Sequence, residues 1–87
     1  MPKEFIPSQL RTLTGGIAEL EIEGATVGRV IAALDVQFPG LADRLTANGA
    51  MAPGLAVSVD GAMVPAGLLA RVRPESEIHF LPAIGGG

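Results

Sequence analysis

The chain has 87 residues, of which 48% are hydrophobic and 17% charged, and its formal net charge is −3. A chain of this length supports one small core, and the high apolar fraction excludes an intrinsically disordered protein. Because the sequence contains no cysteine, disulfides, thiolate-held iron–sulfur clusters and cysteine nucleophiles are excluded.

Charge and hydropathy also limit the possible partners. A net negative chain binds the phosphate backbone of nucleic acids poorly, so we expect no nucleic-acid partner. No apolar run reaches the roughly 20 residues of a membrane span, and the first four residues lack the pattern of a signal peptide. We therefore expect a cytoplasmic protein without a membrane partner.

The first quarter of the chain predicts a β-hairpin. Residues 4–6 form a short strand that Pro7 limits, since proline donates no hydrogen bond to a strand ladder. Either Phe5 or Ile6 is a candidate core residue of this strand, and the sequence does not decide between them. After the turn pattern at residues 14–16, residues 17–22 alternate apolar and acidic side chains, which is typical of a half-buried antiparallel strand.

One clear helix follows over residues 27–38. Thr26 is a suitable N-cap, and Pro39-Gly40 ends the helix. We expect a core-facing apolar stripe and assign the remaining positions to the helix surface; one more short helical turn is possible at residues 41–45. The predicted stripe is Val27, Val30, Ile31, Leu34 and Phe38, and the predicted surface positions are Arg29, Ala33, Asp35 and Gln37.

The second half of the chain predicts a loop and further strands. Residues 48–54 form a loop rich in small residues, and residues 55–59 alternate as a strand that ends at a tight Asp60-Gly61 turn. Residues 63–64 are a short partner strand, whereas residues 67–72 fit a loop with a helical turn as well as a strand. The last strand covers residues 77–81, with Ile78 and Phe80 facing inward.

This order of elements favours an α+β fold. A single amphipathic helix has to bury its stripe against one face of one sheet. We therefore predict the β-grasp, or ubiquitin-like, arrangement, in which a mixed sheet of four to five strands packs on one main helix. The folded domain is expected over residues 1–82, followed by a flexible glycine tail over residues 83–87.

The residues that remain for chemistry are few. The single histidine, His79, alternates away from the core-facing residues of its strand, so it is best explained as a solvated side chain, and we expect no metal site and no catalytic residue. The glutamates at 19, 21 and 23 form a solvated face or, alternatively, a docking surface for a basic partner. The unusual group is the carboxylate of Gly87, because a glycine tail without Cβ atoms fits through a narrow channel.

The sheet face that the helix does not cover is the predicted partner surface. Alternation places His79 and Leu81 on that face of the last strand, and Ala56 and Ser58 on the same face of its neighbour. A partner that binds this patch would also contact and recognise the adjoining C-terminal tail. The alternative is that these are ordinary scattered surface residues.

Seven short segments of the chain form a recognisable ordered set. They are IPSQLR at 6–11, LTGG at 13–16, EGATVG at 23–28, FPGL at 38–41, VDG at 59–61, FLPAI at 80–84 and the terminal Gly-Gly. Taken in order, these segments resemble the MoaD/ThiS family of ubiquitin-like sulfur carriers. The length and the FPGL segment are similar to the longer, MoaD-like members, whereas residues 6–11 and 81–84 are closer to carriers of the cysteine-biosynthesis type.

The resemblance implies a protein co-substrate rather than an enzyme. A ubiquitin-activating-type enzyme would adenylylate the carboxylate of Gly87 with ATP, a sulfur donor would convert it to a thiocarboxylate, and a sulfur-accepting synthase would take the sulfur for cysteine, molybdopterin or another metabolite. No bound cofactor is implied. Gly86 and Gly87 would form the reactive terminus, and recognition of the tail would involve Pro82, Ala83, Ile84 and Gly85.

Two positions depart from the family pattern: Gly85 stands where a slightly larger residue is usual, and Glu4 where the first strand is often apolar. Two alternatives to a sulfur carrier also stay open. In the first, the chain is a ubiquitin-like modifier that is joined to other proteins through Gly87. In the second, it is a β-grasp module that binds partners without covalent chemistry.

Overall fold

A computed structural model describes residues 1–83. Within this range, two helices and seven strands are joined by short turns, with 3-10 turns at Ser8–Leu10 and Gly67–Leu69. The helices are α1 (Val27–Gln37) and α2 (Leu41–Leu45), and the strands are β1 (Lys3–Phe5), β2 (Glu19–Glu21), β3 (Thr46–Ala47), β4 (Ala50–Met51), β5 (Leu55–Val59), β6 (Ala62–Met63) and β7 (Glu77–Pro82).

The main sheet has five strands in the order β2-β1-β7-β5-β6. β1 and β7 are parallel, and the other neighbouring pairs are antiparallel. β7 is therefore the central strand, between the N-terminal hairpin and β5. This mixed sheet on one main helix confirms the predicted β-grasp class.

Helix α1 forms as its periodicity predicts. The side-chain oxygen of Thr26 accepts a hydrogen bond from the backbone N–H of Arg29 at 3.2 Å, which satisfies a free donor of the first turn. The helix ends before the Pro39-Gly40 corner, where Gly40 has a φ of 100°. Four residues of the predicted stripe are buried and Phe38 is half-buried; the buried four are Val27, Val30, Ile31 and Leu34.

Asp35 corrects one sequence assignment. Its side chain is half-buried, and Oδ1 accepts hydrogen bonds from the backbone N–H groups of Gly40 and Ala42, both at 3.0 Å. The carboxylate thus caps α2 from α1 and closes the corner between the two helices. Describing it only as a surface residue was wrong, because its role depends on where the chain goes after Pro39.

The first strand settles the register that the sequence left open. Ile6 is buried and faces the core, whereas Phe5 lies on the opposite face of the sheet. Glu4 therefore also faces the core, and it is fully buried at 0% exposure. In the neighbouring strand, Ile22 is buried but Ala18 is exposed, so only part of the predicted 17–22 alternation is covered.

The loop predicted at residues 48–54 contains more structure than expected. β3 and β4 form a small antiparallel hairpin around Asn48 and Gly49, whose φ values are 54° and 78°. Two successive positive φ values are typical of the tight turns that Asn-Gly favours. The Asp60-Gly61 turn joins β5 to β6 in the same way, as predicted, with φ values of 53° and 84°.

The last strand matches its prediction. Ile78 and Phe80 are buried on the face toward the helix. The ambiguous segment at residues 67–72 is a 3-10 turn followed by a single bridge between Arg71 and Thr26. The loop interpretation of this segment was thus the better one.

Candidate partner face and C-terminal strand

β7 carries the chain toward its C-terminus along the middle of the sheet. It stays antiparallel to β5 as far as Pro82, which lies opposite Leu55. The backbone N–H of Ala83 then donates to the carbonyl oxygen of Gly54 at 2.9 Å, so the ladder continues one residue past the strand. Pro82 and Ala83 are both exposed. The predicted tail residues Ile84, Gly85, Gly86 and Gly87 lie outside the described residues.

The four residues predicted for the partner surface lie together on the open face, meaning the sheet face opposite α1. Ala56 is directly opposite Leu81, and Ser58 is directly opposite His79. Directly opposed residues share a face, so the four side chains form one block. Ser58 is only 7% exposed and Leu81 is 36% exposed. Within the block, the polar Ser58 is therefore buried, whereas the apolar side chain of Leu81 is accessible to a partner.

Two residues of this face were missed by sequence reasoning. The ring of Phe5 stacks on the imidazole of His79, with ring centroids 4.0 Å apart and an angle of 6° between the planes. Met63 lies opposite Ser58 and is 57% exposed. Phe5 was missed because its register was undecided, and Met63 because its strand is too short for a clear alternation.

These positions complete a row across the whole sheet. The register of the five strands places one residue of each strand side by side across the open face. The side chains at the β2 end of this row are acidic and aromatic, and those at the β6 end are small or apolar. In order from β2 to β6, the row is Glu19, Phe5, His79, Ser58 and Met63.

Charge is concentrated at the β2 end of the open face. Glu19 and Glu21 are exposed there, and Lys3, which lies opposite Glu21 on β1, has its Nζ 3.9 Å from a carboxylate oxygen of Glu19. His79 Nε2 lies 3.8 Å from a carboxylate oxygen of Glu77. Exposed ion pairs of this kind add little stability. Their acidic excess would instead favour the approach of a basic partner surface.

A groove of about 520 Å³ adjoins the β6 end of the open face. Ala56 and Met63 belong to both features, and the groove continues to the β3–β4 hairpin and the 3-10 turn at Gly67–Leu69. Its lining is mainly apolar and includes Met51, Leu55, Val64, Leu68 and Leu69. Residues of the partner surface are thus next to a concave apolar region.

Other kinds of site have no support in the described range. Among residues 1–83, no three histidine, aspartate or glutamate side chains come close enough to hold a metal ion together. In the same part of the chain, neither helix has the length and apolar character that crossing a bilayer requires. Glu23, the third acidic residue named above, is exposed just beyond β2 and outside its ladder.

Comparison with solved structures places this geometry among known proteins. The chain is similar to CysO in the crystal structure of the Amycolatopsis orientalis BexX/CysO complex, with 32% identity, full coverage of both chains and a TM-score of 0.91. It is also similar to the crystal structure of Mycobacterium tuberculosis CysO, with 26% identity, a TM-score of 0.88 and coverage of 97% of this chain and 100% of the other. Both likenesses support the β-grasp fold. A crystal structure of SAMP1 from Haloferax volcanii is similar in fold alone, with 22% identity over 99% of this chain and 98% of the other and a TM-score of 0.72.

Sequence comparison agrees with the structural one. The sulfur carrier protein CysO of Mycobacterium tuberculosis is 29% identical over 89 residues, covering 94% of each chain. The model of the ThiS family matches residues 5–87, which is nearly the whole chain. The chain therefore belongs to the ThiS family of ubiquitin-like sulfur carriers.

Proposed function

We propose that this protein is a sulfur carrier that holds sulfur as a thiocarboxylate on Gly87. The observation that carries the proposal is the path of β7, which leads from the centre of the sheet beside the open face to an exposed Pro82 and Ala83. The names of the CysO relatives give independent support for carriage of sulfur. The protein itself would be a co-substrate, with the catalytic groups supplied by its partners.

The proposed chemistry takes place in two steps on a partner enzyme. A carboxylate oxygen of Gly87 attacks the α-phosphorus of ATP, and pyrophosphate leaves. A hydrosulfide equivalent from a sulfur donor then attacks the carbonyl carbon and loses its proton, while AMP leaves with the oxygen. Activation is needed because a carboxylate oxygen is a poor leaving group and AMP is a good one.

The residues of this chain would contribute binding and delivery. The open face would supply binding energy away from the reacting carbon, and such remote energy can be used to position the reacting group. Pro82 and Ala83 would set the direction in which the tail leaves the sheet. Ile84 and Gly85 would be recognised by contacts inside the partner's channel. Gly86 and Gly87 would enter the narrowest part of that channel, since they have no Cβ.

The proposed partners follow from this scheme. They are a ubiquitin-activating-type adenylylating enzyme that uses ATP, a sulfur donor, and a synthase that accepts the sulfur. We propose cysteine biosynthesis as the pathway that receives it, because the similar proteins are named CysO. Ala56 and Leu81, the apolar members of the block, would meet an apolar centre on the adenylylating enzyme, and the acidic end of the open face would meet basic neighbours of that centre.

Intact-protein mass spectrometry tests the proposal. The purified chain is incubated with an adenylylating enzyme of this type from the same organism, ATP and a sulfur donor. The expected result is a mass gain equal to the difference between a sulfur and an oxygen atom. Deletion of Gly86 and Gly87 together leaves a single terminal glycine and should abolish the gain, as should addition of one alanine after Gly87; both changes lie beyond the described fold.

Two controls make a negative result informative. The adenylylating enzyme is shown to be active by its exchange of pyrophosphate into ATP in the presence of the chain. The folded state of each variant is checked by its thermal unfolding. If the mass gain persists without Gly86 and Gly87, the proposed site is wrong; if the unmodified chain never gains mass beside an active enzyme, carriage of sulfur as a thiocarboxylate is wrong.

A further inference from the structure

Glu4 is buried in an environment that suits an uncharged side chain. It lies in the middle of β1, opposite Leu20 of β2 and Ile78 of β7, on the sheet face that packs against α1. Its exposed fraction is 0%. Among residues 1–83, neither Oε1 nor Oε2 has a hydrogen-bond partner. The structure thus buries a carboxyl group and provides it with no donor.

The elements packed over this face offer no compensating positive charge. The inward side chains of α1, α2, β5 and β7 are apolar. These inward side chains are Val27, Val30, Ile31, Leu34, Leu41, Leu45, Val57, Val59, Ile78 and Phe80. Of the charged residues of the two helices, Arg29, Asp43 and Arg44 are exposed, and the half-buried Asp35 accepts from the corner backbone. The guanidinium of Arg11, next to β1, donates to the backbone oxygen of Ile6 at 3.0 Å.

The remaining charges near Glu4 do not offset its burial. Lys3 and Glu77 lie on the opposite face of the sheet. Burial raises the pKa of Glu4 to about 8; the negative charge of Glu21 adds to the increase, and the amino group of Met1 opposes it. An ionised carboxylate without partners is far more costly to bury than the neutral acid.

We propose that Glu4 is a pH-sensitive latch: its carboxyl group is protonated in the folded protein, and its ionisation releases β1 from the core. β1 is the element affected first because it carries the group and is only three residues long. β7 would keep its five-residue pairing with β5 when β1 leaves. This inference does not depend on the proposed function.

Release of β1 would also alter the open face. Phe5 is stacked on His79 only while β1 lies beside β7. Without β1, the acidic and aromatic end of the cross-sheet row separates from the small and apolar end. A partner that binds this face would therefore lose part of its contact surface as the pH rises.

The sign of the effect follows from proton linkage. An unfolded Glu4 titrates near 4.5, whereas the folded one titrates near 8. Between these values the folded state binds one proton that the unfolded state has lost, so stability decreases as the pH rises. For this one group, the folding equilibrium constant falls by up to about tenfold per pH unit within the window.

Chemical denaturation from pH 5 to pH 9 tests the latch. The test compares the natural chain with Glu4→Val, which keeps a β-branched apolar residue in the core, and Glu4→Gln, which keeps the shape without a titrating proton. The matched control is Glu19→Gln, an exposed glutamate on the neighbouring strand. All four proteins keep His79 and the amino terminus, so the comparison isolates the side chains at positions 4 and 19.

The latch predicts that the natural chain and Glu19→Gln lose stability with rising pH, while Glu4→Val does not show that loss. A pH dependence of Glu4→Val identical to that of the natural chain would overturn the proposal. If Glu4→Gln fails to fold, the comparison with Glu4→Val still decides. The carboxyl carbon of Glu4, followed by NMR, should titrate with a pKa of about 8, and a pKa near the ordinary 4.5 would equally refute the latch.

Hydrogen exchange locates the opening. The backbone N–H groups of Lys3 and Ile6 are bonded to Ser76 and Ala18, so they report whether β1 is in place. Above pH 8 their protection should fall relative to the N–H of Asp60, which bonds Glu77 between β5 and β7. Equal loss of protection at all three sites would show global unfolding and contradict a local latch.

Discussion

The ring of Phe5 on β1 lies parallel to the imidazole of His79 on β7, with centroids 4.0 Å apart. The contact joins the only parallel pair of strands within the described sheet. It also links the N-terminal hairpin to the strand that leads to the C-terminus. The open face therefore consists of two halves that meet at this stack, beside the backbone pairing of β1 with β7.

The stack should appear as a coupling free energy. In a double-mutant cycle with Phe5→Ala and His79→Ala, we expect a coupling of about 0.5–1.5 kcal/mol in the free energy of unfolding, as for other stacked ring pairs. The measurement is urea denaturation of the four proteins. A cycle that combines Phe5→Ala with Met63→Ala is the control, because two strands separate these residues. Equal coupling in both cycles would argue against a specific stack.

The open face should be needed for activation by the adenylylating enzyme. Leu81→Lys places a charge in its apolar block, so we expect a higher KM for the chain as co-substrate of that enzyme, with little change in unfolding temperature. Val36→Lys is the matched control, since Val36 is 83% exposed on α1, on the other side of the molecule. An equal rise in KM for both variants would move the docking surface away from this face.

Asp60 should stabilise the fold at neutral pH and make that part of its stability sensitive to acid. Its Oδ1 accepts from the backbone N–H of Glu77 at 2.9 Å and its Oδ2 from the hydroxyl of Ser76 at 2.8 Å, and these bonds, together with Arg73, lower the pKa of Asp60. A lowered pKa stabilises the fold above the unfolded pKa, and this contribution is lost as the pH falls through the folded value.

Acid unfolding, followed by circular dichroism, tests these hydrogen bonds from Asp60 in the β5–β6 turn to Ser76 and Glu77. Asp60→Asn tolerates the positive φ of the turn but carries no charge. We expect it to be less stable at neutral pH and to show a smaller loss of stability below pH 4. Glu23→Gln, an exposed acid beyond β2 that forms no ion pair with Arg73 in the described part of the chain, should behave like the natural chain. An unchanged acid profile for Asp60→Asn would contradict the assignment.

Gly24 should be intolerant of any side chain. A Cβ at this position would lie 2.7 Å from Cγ2 of Val30 and 2.9 Å from its backbone nitrogen. The helix backbone cannot yield easily, so Gly24→Ala should cost about 1–3 kcal/mol of folding free energy, as other overpacked sites do. Urea denaturation measures the loss, and Ala25→Gly serves as the neighbouring control. A neutral Gly24→Ala would show that the approach of the two segments is looser than the structure has it.

The parts of the fold that the sequence predicted are those with strong periodicity. The stripe of α1 and the alternation around Ile78 and Phe80 depend on burial that repeats along one element, so a single sequence reveals them. The register of β1 is different, because a buried glutamate contradicts the pattern by which a strand face is recognised. Asp35 was misassigned for a related reason: its hydrogen-bond partners are in the next helix.

The candidate site was predicted in part for similar physical reasons. The pairs of Ala56 with Leu81 and Ser58 with His79 follow from alternation in two adjacent strands. Phe5 and Met63 required knowledge of which strands are neighbours, and that is a property of the sheet. The small hairpin around Asn48 and Gly49 had a recognisable turn dipeptide, but its two-residue strands are too short to show a period.

The most direct test of the account is to locate the added sulfur. After incubation with the adenylylating enzyme, ATP and a sulfur donor, the chain is cleaved after Glu77, and the fragment of residues 78–87 is sequenced by tandem mass spectrometry. The account predicts that the mass gain of sulfur over oxygen lies on Gly87 alone. A gain on any other residue would contradict it. So would an unmodified Gly87 in a reaction whose enzyme catalyses exchange of pyrophosphate into ATP when this chain is present.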